Sequence, residues 1–302
     1  MRIIVKPPPP FDFNLSAQIF SHGDRRIQRY EDGAYWHVIR LTDRPALIKL
    51  HSSGTTNDPE LNIEIEPLGA VSLKHEREVR AIVGRLFNFR LDLLSFYDAV
   101  KRDRIMAQIA EHLWGLKSPS TATIFEALID SVIEQQISLK AAWSIQRKLV
   151  EALGDTLIWK GQTYFAYPKP EKLAIASIER LRACGLSNKK GEYIKGIGRL
   201  VMNGFDLEAL SSQNEAGIIE KLCKIRGVGV WTAEMTMIRG MQKFDAIPAD
   251  DLGLRRVIGH YYYHGEKITG EQARRTAQAW AGWRGLASFY LIVAKQTGIE
   301  VA

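Results

Sequence analysis

Two neighbouring carboxylates, Asp250 and Asp251, follow Ile247-Pro248-Ala249 and precede Leu252-Gly253-Leu254-Arg255-Arg256-Val257. Proline favours an extended approach, and Leu252, Leu254, Val257 and Ile258 then form the apolar side of a helix, so the pair marks a helix start. The ordinary role of an Asp there is an N-cap, worth ~1 kcal/mol. Facing a cleft, the same group can stabilise positive charge or activate a water. A second stretch with chemical potential lies upstream: Leu222-Cys223-Lys224-Ile225-Arg226-Gly227-Val228-Gly229-Val230-Trp231-Thr232-Ala233 reads as an apolar helix that stops at Gly-Val-Gly and restarts at once. The glycines allow a tight turn and close approach of backbone to a ligand. The restarting helix offers free N–H groups and the positive end of its dipole, which suit a phosphate. A bare Gly-x-Gly serves equally as cap and turn, with Leu222 and Ile225 only knitting two helices together.

These residues need a frame to position them. Residues 35–41, 46–50 and 61–65 are short, β-rich runs separated by turn residues, which predicts an antiparallel sheet. Residues 74–87 place Val79, Ile82, Val83, Leu86 and Phe87 on one helical face, to pack on that sheet. From about Ser95 the apolar period becomes helical, over 124–149, 171–184, 189–202, 215–225, 231–241, 252–262 and 271–280, with Gly, Pro or Ser between. Ser187 before Asn188, Gly204 after Asn203, and Ser211-Ser212 ahead of Asn214 mark boundaries. The expected class is multidomain α+β: a β-rich unit over 1–95, then an all-α unit over 96–302.

With 302 residues and 46% apolar content, the chain has ample material for a core. Its 41 Lys plus Arg against 34 Asp plus Glu give a formal charge of +7, which suits nucleic acid or an acidic membrane surface but equally a solvated basic surface. Cys184 and Cys223 form no Cys-x-x-Cys pair and have no His at ligand spacing, which argues against a disulfide framework, zinc or an iron–sulfur cluster. Both read as small core residues. The segment 1–10 is a proline run with two basic residues, and no window approaches the ~20 apolar residues of a membrane span. A soluble, intracellular protein is expected, cytoplasmic or, in a eukaryote, nuclear.

Together, Leu222-x-x-Ile225-x-Gly227-Val228-Gly229-x-Trp231-Thr232-Ala233 and the Pro-containing loop ending in Asp251 resemble the helix-hairpin-helix (HhH-GPD) DNA glycosylase superfamily. The resemblance implies that the hairpin amides of Gly227, Val228 and Gly229 hold a DNA phosphate. It also implies that the backbone carbonyls of 225–230 can bind a monovalent cation, with no other metal and no cofactor. In register with the family the catalytic aspartate is Asp251; a shift of one residue would make it Asp250. Its task would be to steady the oxocarbenium charge that develops on the sugar as the base departs, and to orient or deprotonate water. Bifunctional members carry Lys where this chain has Trp231, and Lys224 and Lys243 are out of that register. The expectation is therefore base hydrolysis without a Schiff base.

Trp231-Thr232-Ala233-Glu234 further resembles the 3-methyladenine DNA glycosylase II branch. The likeness extends to Leu91-Asp92-Leu93-Leu94-x-Phe96-Tyr97, the stretch 125–138, Gly185-Leu186-Ser187-Asn188-Lys189-Lys190 and Trp280-x-x-Trp283-Arg284. It implies a first unit resembling half of a TATA-binding-protein-like fold, and a partner that is double-stranded DNA with a damaged base; because one enzyme engages one flipped nucleotide, a monomer is expected. An aromatic pocket would hold a cationic alkylated base by stacking and cation–π attraction, with Trp231 as its main wall. Met235 and Ile292 stand where further aromatics are expected, and Phe289 or Tyr290 could supply a ring, although both also fit a core helix. The loop within Glu134-Gln135-Gln136-Ile137-Ser138 matches the wedge that fills the vacated stack, with Gln136 at the tip and Gln135 in support. Arg226, Lys189 and Lys190 are candidate phosphate or groove contacts. The competing readings are an oxidised-purine glycosylase/lyase and a non-catalytic helix-hairpin-helix DNA-binding protein.

Overall fold

A computed structural model describes residues 2–21, 24–66 and 72–301. Its first part comprises β1 (Arg2–Val5), α1 (Phe13–Phe20), β2 (Gln28–Glu31), β3 (Ala34–Arg40), β4 (Pro45–Ser52), β5 (Leu61–Glu66) and α2 (Leu73–Leu86). The five strands form one antiparallel sheet in the order β1-β5-β4-β3-β2. Side chains alternate between faces of a strand. Tyr35, Ile39, Ile48, Leu50 and Ile63 accordingly point to the face covered by Phe13 and Ala17 of α1 and Val79 and Val83 of α2. Val38 and Leu47 point to the other face. The sheet is larger than the three strands read from sequence, and α1 was not foreseen.

The second part opens with α3 (Leu93–Val100), α4 (Arg104–His112), α5 (Ile124–Glu134) and α6 (Leu139–Leu153). After them come β6 (Thr156–Trp159) and β7 (Gln162–Phe165), then α7 (Pro170–Ile175), α8 (Ile178–Ala183) and α9 (Asn188–Met202). The chain ends with α10 (Glu215–Cys223), α11 (Val230–Met241), α12 (Leu252–Tyr262), α13 (Gly270–Thr276) and α14 (Arg284–Thr297). An antiparallel sheet followed by a helical domain is the class expected; α3 and α4 were not among the runs read from sequence, and three further details differ. The run 124–149 is two helices, because Gln135 leaves helical geometry and Ser138 caps a new one. The run 171–184 breaks where Ala176 is extended and Ser177 caps α8. The helical part also contains the hairpin β6–β7, whose Tyr164 and Ala166 cover Val38 and Leu47 on the back of the first sheet.

At the centre of the helical core lies α5, with Ile124, Phe125, Leu128, Ile129, Val132 and Ile133 buried. It packs against α11 so closely that a Cβ added at Gly240 would lie 2.7 Å from the Ala127 Cβ. This contact fixes the segment after α5 relative to the start of α11, the two places that carry the site. Among the described residues no helix is long and apolar enough to cross a membrane, and no group of three or more His, Cys, Asp or Glu is arranged to hold a metal.

Candidate active site

The start of α11 is built from the two glycines for different reasons. Gly227 has φ +91°, and a Cβ there would fall 2.2 Å from the Tyr193 ring, so only glycine fits the turn. Gly229 has an ordinary φ of −101° and nothing within 4 Å of an added Cβ. It is the N-cap of α11, and no side chain hydrogen-bonds to that cap. The first N–H groups of α11 are thereby left for an external acceptor, beside an exposed Gly229 and Val230. Of the hairpin carbonyls that the resemblance assigns to a cation, those of Ile225, Gly227 and Gly229 already accept hydrogen bonds, from Val228 N, Gln135 Nε2 and Ala233 N.

Two residues into α11 comes Trp231, half-buried, and its indole Nε1–H donates to Asp251 Oδ2 at 3.2 Å. The other oxygen, Oδ1, accepts the Leu254 N–H at 2.8 Å, so Asp251 is the N-cap of α12. Its own helix and the hairpin helix together set the orientation of this side chain. Asp250 lies on the rim, 74% exposed, with Oδ2 3.4 Å from Arg274 Nη2. That guanidinium also meets Glu234 at 3.2 Å, whose carboxyl burial pushes up to about 7.

Asp251 and Trp231 line a cleft of about 1390 Å³ together with Met235 of α11 and Phe289 and Ile292 of α14. Phe289 is half-exposed on this wall, whereas Tyr290 is fully buried and donates to the Leu116 carbonyl at 2.6 Å. Gln135, Gln136, Ser138 and Gly229 border the same cleft. Gln136 is exposed at the tip of the α5–α6 turn with φ +56°, a left-handed conformation uncommon for a residue with a side chain. Ile137 and Leu139 beside it are 39% and 45% exposed. Ser138 Oγ caps α6 by accepting the Ala141 N–H at 3.3 Å.

The proposed cationic contacts are arranged unevenly. Lys189 is exposed in the first turn of α9. Arg226 is exposed too, but it pairs with Glu192 at 3.1 Å and lies over the Tyr193 ring, lining a separate groove behind the hairpin. Lys190 turns inward: its Nζ donates to the Ile133 and Gln135 carbonyls at 2.7 and 2.6 Å, and burial lowers its pKa. It is engaged by protein and is not presented to solvent as a phosphate contact would be.

The cleft wall also holds ionisable groups that sequence reasoning missed. Arg239 donates from Nη1 to both Glu134 oxygens, at 2.6 and 2.7 Å. Burial works against its charge, but Glu134, Asp130 and Asp251 outweigh that and hold its pKa above the ordinary value. Trp231, Met235 and Arg239 follow one another at i, i+4 spacing on α11, and that spacing was the available signal. Deeper in the cleft, Asp130 accepts from Tyr167 Oη and Gln146 Nε2, each at 2.7 Å. Burial pushes Asp130 up to about 7 and, with the added repulsion of Asp130, Glu126 up to about 8.

An uncapped hairpin helix, a neighbouring oriented carboxylate and a protruding loop thus meet on one cleft. The HhH-GPD superfamily of base excision DNA repair proteins matches residues 129–282, and the chain belongs to it. A DNA-3-methyladenine glycosylase of Bacillus subtilis is 28% identical over 292 residues, 96% of this chain and 95% of that one. The structure of a 3-methyladenine DNA glycosylase from Archaeoglobus fulgidus shares the fold with a TM-score of 0.85, at 24% identity, over 97% of this chain and 98% of the other. A Schizosaccharomyces pombe 3-methyladenine DNA glycosylase, solved with abasic DNA, is 25% identical and covers 67% of this chain and 97% of its own, with a TM-score of 0.57.

Proposed function

We propose that this protein is a monofunctional DNA glycosylase of the 3-methyladenine DNA glycosylase II kind, which extrudes an alkylated base from duplex DNA and hydrolyses its N-glycosidic bond. The observation that carries the reading is Asp251, held by Trp231 Nε1 at 3.2 Å and Leu254 N at 2.8 Å on the wall of the cleft that the hairpin helix enters. In this reading the amides of 227–229, with Arg226 and Lys189, hold backbone phosphate, and Gln136 fills the vacated stack with Gln135 and Ser138 behind it. Trp231, Met235, Phe289 and Ile292 enclose the extruded base, where an aromatic face attracts a cationic lesion. A base alkylated on a ring nitrogen already carries positive charge, so it leaves without a strong general acid. Asp251 supplies electrostatic stabilisation as charge passes to the sugar and orients the attacking water. Residues 1–95 serve as a supporting unit and 96–302 as the catalytic unit, acting as a monomer on double-stranded DNA.

The position that bears the Schiff-base lysine in lyases of the superfamily holds Trp231. Incubation with methylated DNA is expected to release free 3-methyladenine and leave intact abasic strands. Borohydride trapping on abasic DNA should yield no covalent adduct. A trapped adduct, or strand scission accompanying base release, would contradict the monofunctional reading.

A further inference from the structure

The loop after α5 carries polar contacts that the proposed chemistry leaves unexplained. Its tip, Gln136, is held at φ +56°, a conformation that persists only where its surroundings fix it. The last carbonyls of a helix lack helical partners, and the negative end of the dipole favours a cation there. Lys190, from the first turn of α9, supplies that cation: its ammonium bridges the Ile133 and Gln135 carbonyls at 2.7 and 2.6 Å. The Gln135 side chain then reaches the other way. Its Nε2 donates to the Gly227 carbonyl at 2.8 Å and to Thr232 Oγ1 at 2.9 Å, one acceptor in the hairpin turn and one in the first turn of α11. Elements 92 residues apart in sequence are thereby tied at one residue.

We infer that Lys190 and Gln135 are positioning residues that clamp the loop bearing Gln136 to the hairpin, so that wedge and phosphate grip move as one body. The inference rests on the wedge and hairpin roles proposed above and adds the device that couples them. Displacing a paired base requires a wedge that does not yield relative to the held phosphate. If the root of the loop were loose, insertion would deform the loop instead of the duplex. Lys190 cannot leave for a DNA phosphate without abandoning both carbonyls, whereas Lys189, its exposed neighbour, is free of that duty. The clamp should therefore matter when a base must be extruded from a pair, and matter little when it is already outside the stack, where the unpairing cost is least.

The test compares single-turnover excision of 7-methylguanine from a fully paired duplex and from a one-nucleotide bulge, for wild type, Lys190→Met and Gln135→Met. Each variant is expected to lose about tenfold or more on the paired duplex and less than about threefold on the bulge. Lys190→Arg, which keeps a cation able to reach two carbonyls, should recover most of the paired-duplex rate. The salt dependence of binding to undamaged DNA should be unchanged in Lys190→Met and reduced by about one counterion in Lys189→Met. Equal losses on both substrates, or a reduced salt slope in Lys190→Met, would overturn the clamp. Should Lys190→Met fail to fold, Gln135→Met alone decides by the same ratio. Wild type that excises from neither substrate would instead count against the glycosylase reading.

Discussion

Asp251, the proposed catalytic carboxylate, is held from two sides: Oδ1 caps α12 and Oδ2 receives the Trp231 indole N–H. Catalytic groups gain from such fixation because no reorganisation is needed as charge develops. Its position was legible from the motif, since Pro248 and the apolar run from Leu252 mark the helix start. Its partnership with Trp231 was not, because a hydrogen bond across 20 residues leaves no local pattern. The same holds for Asp130, bound by Tyr167 and Gln146, and for Glu126, which accepts the Ala122 N–H; both line the cleft and neither was singled out from sequence. Glu126 is pushed up to about 8 by burial first and by Asp130 second. A carboxyl with a raised folded-state pKa contributes its stability below the unfolded value near 4.5 and loses it as pH rises to about 8. Glu126→Gln should therefore melt with wild type at pH 5 and gain ~1–2 kcal/mol over it by pH 9. Thermal melts across that range check this, and a gap that is constant or shrinks with pH would contradict it.

Elements place these groups with a few local devices. Gly227 and Gly229 look alike in sequence but differ in structure: the first is required by φ +91° and the Tyr193 ring, the second has open space around it. Gly227→Ala should lower both melting temperature and DNA affinity. Gly229→Ala should leave melting within ~0.5 kcal/mol of wild type and still weaken DNA binding, since only an approaching backbone would meet the new methyl. Calorimetry alongside binding titrations separates the two, and unaltered DNA affinity in Gly229→Ala would remove this glycine from the phosphate grip. The α5–α6 break does not show in the apolar period, which runs through 124–149 without Gly or Pro, and only the resemblance placed a loop there; the stop is made by Gln135, Gln136 and the Ser138 cap. The hairpin β6–β7 was hidden differently. Its turn, Lys160-Gly161, has positive φ at both residues, as tight two-residue hairpin turns require, but Lys-Gly is a weaker sign than Asn-Gly and each strand has only four residues.

At the scale of the molecule, the first sheet is more than an appendage. Arg40 of β3 donates to the Tyr167 carbonyl at 2.9 Å and pairs with Asp155, while β6–β7 covers the back of the same sheet. Through Tyr167, which bonds Asp130 at 2.7 Å, the sheet supports the cleft floor near the site. The order of sheet then helices was readable from the change of apolar period near Ser95, because period follows directly from backbone geometry. The ties between the two parts were not readable, because both the polar contacts and the apolar packing of β6–β7 on the sheet join residues distant in sequence. What the whole arrangement is for turns on one carboxylate. Single-turnover release of 3-methyladenine from methylated DNA by Asp251→Asn and Asp250→Asn, with DNA affinity measured in parallel, addresses it most directly. Asp251→Asn is expected to bind DNA as wild type does and to lose ~10²–10³-fold in rate, the scale of removing one transition-state electrostatic contact, while Asp250→Asn stays within about threefold. Retained hydrolysis by Asp251→Asn, or a larger loss in Asp250→Asn, would contradict the assignment.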